Sequence, residues 1–94
     1  MTTSEERARN LRYFHQPRLW PLWPWLPVVR RSRGKEELGV LCDLKNLHGL
    51  TGFSTTVFYA NLFALPDSVG AFLALPREVH DTPEEVYDAG WRVD

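Results

Sequence analysis

The chain predicts a small α+β domain, a mainly antiparallel sheet of four or five short strands with two or three short helices and a Pro/Trp-rich extended segment across it. Three observations carry that reading. At 94 residues the chain supplies one hydrophobic core rather than two. Two strand-like runs flank the glycine turn of RRSRGKE, and the segment DTPEEVYDAGW gathers the start and stop signals of a helix.

The first sixteen residues form an N-terminal helical segment. Thr3 stands three ahead of Glu6 in capping-box spacing, helix formers follow to Leu11, and Pro17 ends the helix at or before Gln16. Residues 17–27, PRLWPLWPWLP, carry prolines at 17, 21, 24 and 27 and tryptophans at 20, 23 and 25, three of the four in the chain. Proline fixes φ and lacks a backbone donor, so this spacing predicts an extended polyproline-II rod and argues against a central strand. In such a rod Trp20, Trp23 and Leu26 share one face.

Strands are predicted near 27–31 and 37–44, joined at Gly34 as a hairpin. In the second arm Leu38, Val40, Cys42 and Leu44 lie on one face, which points Cys42 inward. Residues 45–52 read as loop. Residues 53–62, rich in β-branched and aromatic side chains, read as a strand covered on both sides. A short helix over about 67–74 and a brief strand near 77–80 precede the clearest local signal. Thr82 is placed as N-cap, Pro83 at the first helical position, Glu84 and Glu85 at the positive end of the dipole, and Gly90 as terminator. Residues 91–93 form a last short strand.

Composition narrows function only broadly. The formal net charge is −1, yet residues 1–50 hold nine Lys/Arg against five Asp/Glu and residues 51–94 hold two against seven. A single cysteine allows no internal disulfide, and the polar start lacks a signal-peptide pattern, so an intracellular, cytoplasmic setting is expected. The longest uncharged stretch, Leu19 to Val29, is too short and too proline-rich to span a bilayer.

Several constellations bear on function. Arg18 to Pro24 fits the basic-x-x-Pro-x-x-Pro pattern of SH3 ligands, and Trp20 to Arg31 is compositionally similar to tryptophan-rich interfacial peptides. Against both stands simple burial of large rings in a core short of apolar residues, with at least one ring left exposed as a contact surface. Arg30, Arg31, Arg33 and Lys35 cluster at the hairpin tip, where cations grip phosphates or merely solvate a sheet edge. Cys42, His48 and His80 lack the paired spacing of a metal site, and Cys42 falls on an apolar face, so no cofactor, metal or catalytic group is assigned. The expectation is a non-enzymatic protein-interaction or accessory module, binding a protein partner or itself through Trp20, Trp23 and Trp25. Nucleic-acid binding through Arg30, Arg31, Arg33 and Lys35 is the alternative.

Overall fold

A computed structural model describes residues 3–94, and in it the expected α+β class is present: five antiparallel strands in the order β4-β3-β2-β1-β5, with four short helices. The helices are α1 (Thr3–His15), α2 (Leu44–His48), α3 (Val69–Leu73) and α4 (Pro83–Asp88). The strands are β1 (Trp25–Ser32), β2 (Lys35–Cys42), β3 (Thr56–Phe58), β4 (Arg77–Val79) and β5 (Arg92–Val93). The expected cap at Thr3 concerns a side chain outside the described residues.

The hairpin closes where the sequence placed it, with Ser32 opposite Lys35 and only Arg33 and Gly34 between. Both central residues have positive φ, 51° and 78°, the geometry whose twist matches two antiparallel strands. β1 begins at Trp25, two residues before the expected strand, so Pro27 lies inside it rather than at its start. Its carbonyl accepts the Asp94 N–H at 3.1 Å, so its missing donor faces β5 and removes nothing from the β1–β2 ladder.

Direct opposition in the ladders sorts side chains onto two faces. Leu26, Val28 and Arg30 of β1 share one face with Leu41, Gly39 and Glu37 of β2, and with Val57 and Glu78. Phe14, Trp20, Val86, Tyr87 and Trp91 close over that face as a first core. Val40, Cys42 and Phe58 lie on the other face, where Leu44 and Phe72 complete a second core.

Gly39 shows how tightly the first core is built. A Cβ there would stand 2.6 Å from a Val57 methyl and 3.2 Å from the Trp91 ring, so the absence of a side chain lets the indole lie flat on the sheet. Trp91 reaches that position through the end of α4. Its N–H bonds to the Val86 carbonyl at 3.3 Å and that of Gly90 to Tyr87 at 2.9 Å, a Schellman closure with Gly90 at φ 103°.

The start of α4 is capped as the sequence predicts, the Thr82 hydroxyl accepting from the Glu85 N–H at 3.2 Å. The Glu85 carboxylate reaches back to the N–H of Asp81 at 2.9 Å rather than to that of the cap residue.

Three expectations are corrected. Residues 45–52 are not all loop, because α2 spans Leu44–His48 and ends at Gly49 in the left-handed region with φ 70°. The strand expected over 53–62 shrinks to Thr56–Phe58: a turn from Phe53 to Thr56 precedes it, and a 3-10 turn at Leu62–Ala64, capped by Asn61, follows. Residues 17–27 are not an extended rod. A 3-10 turn covers Pro17–Leu19, and bonds from Trp23 N–H to the Trp20 carbonyl (3.2 Å) and from Trp25 N–H to the Leu22 carbonyl (3.0 Å) fold the chain into successive turns. The φ that proline imposes serves a turn as well as a polyproline helix, and Pro21 occupies the first central position of the Trp20–Trp23 turn. The Trp23–Pro24 peptide is cis.

Candidate interaction surface

The turns send the three tryptophans in three directions. Trp20 is 6% exposed, packs in the first core and donates its indole N–H to the Tyr13 carbonyl at 2.8 Å. It is therefore removed from the expected contact surface. Trp25 is half-buried at the start of β1, edge-on to Phe72 with centroids 5.1 Å apart. Trp23 is 46% exposed, and its N–H donates to Asp43 Oδ2 at 2.8 Å, the same oxygen that accepts from Asn46. This bond fixes the ring's polar edge and leaves much of its apolar surface in water. Leu22, beside it, is 51% exposed.

The basic hairpin is also divided. Arg30 gives Glu37 two bonds, 2.8 and 3.1 Å, a third to Glu78 at 3.0 Å and a fourth to the Ala89 carbonyl at 3.2 Å, while its guanidinium lies 4.4 Å from the Trp91 ring centroid. Arg31 pairs with Glu36 at 2.9 Å. Arg30 is thus withdrawn from the predicted anion site, and among the described residues only Arg33 and Lys35 keep unpaired cationic ends at the tip. The cause is the register itself, which sets Arg30 opposite Glu37 and Arg31 opposite Glu36.

Sequence reasoning missed the centre of this arrangement, Glu78. Its carboxylate faces Arg30 at 3.0 Å, the Tyr59 hydroxyl at 2.6 Å, the Trp91 indole N–H at 3.0 Å and His80 Nε2 at 2.8 Å. Burial alone pushes this carboxyl upward, but the bonds from Tyr59, Trp91, His80 and Arg30 outweigh it and hold Glu78 at about 2. A carboxylate so saturated with donors is an anchor, unlike a general acid, which needs a raised value near the working pH. Cys42 is likewise unsuited to nucleophilic work. It is buried, and burial first, then the neighbouring Asp43 charge, pushes its thiol up to about 12.

Two clefts adjoin the exposed end of the Trp/Pro segment. The first, about 480 Å³, runs from Arg9 and Tyr13 on α1 past Pro21 and Leu26. The second, about 410 Å³, is bounded by Leu38, Ala60 and Phe63. Both are lined by Leu22, Pro27 and Asp94, so the two clefts adjoin at these residues. Phe63 is 95% exposed at the far rim. Neither cleft was legible in the sequence, since α1, the segment before β1 and the turn after β3 meet only in the fold.

The chain matches no protein-family model, no curated protein and no solved structure.

Proposed function

We propose that this protein is a non-enzymatic interaction module and that its contact surface is the groove around Leu22, with Trp23 beside it and Phe63 at the far rim. The observation that carries the reading is Leu22 itself, an exposed aliphatic residue standing between two clefts that share it. A leucine held in water at the junction of two apolar hollows loses solvation cost only when something covers it. The exposed indole of Trp23 adds an aromatic of the kind that anchors protein interfaces. Trp20 and Trp25 act behind this surface, holding the turns in place. The reducing intracellular setting belongs to the same proposal, and among the described residues no helix is long and apolar enough to cross a membrane. The alternative nucleic-acid reading keeps Arg33 and Lys35 but loses Arg30 and Arg31 to carboxylates of the same hairpin.

Photocrosslinking identifies the partner: a benzophenone side chain at position 22 of the full chain should capture a protein that the same group at exposed position 88 does not. The captured protein, purified, should bind at least tenfold more weakly to Leu22→Asp and to Trp23→Ala, with little dependence on salt. Unchanged binding by both variants would remove this surface from the function. Binding to nucleic acid that weakens steeply with salt would favour the hairpin instead.

A further inference from the structure

We infer that the second core carries a binding site for a small aromatic molecule, one ring in size and without negative charge, in a cleft lined by α2, α3 and the strand ends at Trp25 and Cys42. This cleft shares no lining residue with the two at Leu22, so the inference stands apart from the proposed contact surface. Burial sorts the lining by depth. Cys42, Leu44 and Phe72 are buried and form the floor, whereas Leu47 and His48 of α2, with Asp67 and Val69, are exposed and form the lip. Trp25 is half-buried between them, edge-on to Phe72 with centroids 5.1 Å apart.

Size limits the ligand first. The cleft measures about 140 Å³. Apolar cavities of about 150 Å³ take benzene, whereas sites for drug-sized ligands begin at about 300 Å³, so one ring fits and a nucleotide does not. Hydration points the same way. The floor side chains offer water only the Cys42 sulfur, a weak partner, while an ordered water needs two to four polar groups. Water at the floor is therefore held loosely, and an apolar ring that replaces it gains burial and dispersion contact.

Chemistry limits the ligand further. Trp25 and Phe72 already meet edge to face, and a third ring extends that arrangement with the geometry aromatic groups prefer. Among the described residues Asp67 makes no ion pair, so its carboxylate at the lip disfavours an anionic substituent. A hydroxyl on the ring loses no solvation if it points to the exposed lip. Entry needs only the opening of the second face, since α2 and α3 are five residues each and meet the floor through apolar contact.

The test uses phenol as probe, titrated into the isotope-labelled full chain and followed by NMR. Phenol should give saturable shifts at the Trp25 indole and the amides of Leu47 and Val69, with half-saturation at about millimolar concentration. Benzoate should bind about threefold more weakly, and 1-naphthol no more tightly than phenol although it is more apolar, because its second ring projects into water. Phenol at ten times its half-saturation concentration should slow thiol labelling of Cys42 about tenfold, since the bound ring holds the second face closed. Val69→Phe and Leu47→Phe, each adding a ring at an exposed position on the lip, should abolish the shifts, and either variant suffices if the other fails to fold. Phenol binding unchanged in both variants, shifts that do not saturate or fall at Leu22, tighter binding of 1-naphthol, or Cys42 labelling no slower with phenol would each overturn the inference. So would tighter binding of Ac-GFG-NH2 than of phenol, which would make the occupant a partner's side chain. None of these results bears on the crosslink at position 22.

Discussion

The core beneath α1 and α4 and the core beneath α2 and α3 share one sheet and close it by different means. On the first face the apolar side chains are fenced by polar bonds of fixed geometry: Glu78 joins Arg30, Tyr59, His80 and Trp91, and Asn10, itself buried, accepts the Val93 N–H at 2.6 Å while donating to the Glu6 carbonyl at 2.8 Å. On the second face Val40, Cys42, Phe58 and Phe72 meet under two five-residue helices, and Leu47, Leu50 and Val69 remain exposed around them. Directional bonds fix one arrangement of the groups they join, whereas apolar contact alone tolerates repacking. The first core is thus expected to be the more rigid of the two, and the second the face that opens first.

The largest effect expected from this contrast is at Trp91. Trp91→Ala removes the ring at the centre of the first core together with a donor to Glu78, and should cost about 4 to 5 kcal/mol in urea unfolding, near or beyond the stability of a domain this size. Phe72→Ala should cost about 3 kcal/mol, and an equal loss at the two positions would break the comparison. Gly39→Ala should cost about 1 to 3 kcal/mol through its collision with Val57 and Trp91, although it adds only a methyl group.

Acid sharpens the contrast. Because the folded protein holds Glu78 near 2 against an ordinary value of 4.5, its contribution is fully present above about 4.5 and is lost as pH falls toward about 2. After allowance for solvent screening this amounts to on the order of 2 kcal/mol. Glu78→Gln should be less stable at neutral pH and should lack that component of the acid slope. Identical slopes between pH 4.5 and 2 would show that Glu78 is not the anchor of the first face.

Smaller effects follow. Thr82→Ala should cost about 1 kcal/mol through loss of the α4 cap. Cys42 should react slowly with thiol reagents, at a rate set by opening of the second face, and urea well below the unfolding midpoint should raise that rate before it raises amide exchange at Trp91. Leu22→Ala should change stability by less than about 0.5 kcal/mol, since the residue touches water more than core.

Local signals carried the hairpin turn and α4 from sequence to structure, although the second arm runs over Lys35–Cys42 rather than 37–44 and Leu44 opens α2 instead of ending the strand. Gly34 and the flanking alternation, or Thr82, Pro83 and Gly90, act on neighbours within a few residues and need no tertiary context. The segment 20–25 was misread for a physical reason: proline's φ fits both a polyproline helix and a turn, and what decides is whether Trp20 finds a core, a fact about Phe14 and Trp91 rather than about the segment. Five-residue α2 is too short to show a period, leaving Gly49 as its one local signal. Glu78 was illegible because its partners stand 48, 19 and 13 residues away in Arg30, Tyr59 and Trp91. The groove had no single-segment signal at all.

The sequence separation of Arg30 from its partners has a consequence for synthesis on the ribosome. Glu37 follows Arg30 by seven residues and Glu78 by forty-eight, so at ~5–20 residues per second the guanidinium waits about 2 to 10 s for the carboxylate that links it to β4. During that interval Glu37, seven residues away, is the folded-state partner of Arg30 already synthesised. A Glu37→Ala chain, which lacks that local partner until Glu78 is made, should lose yield during translation in excess of its loss of stability once folded.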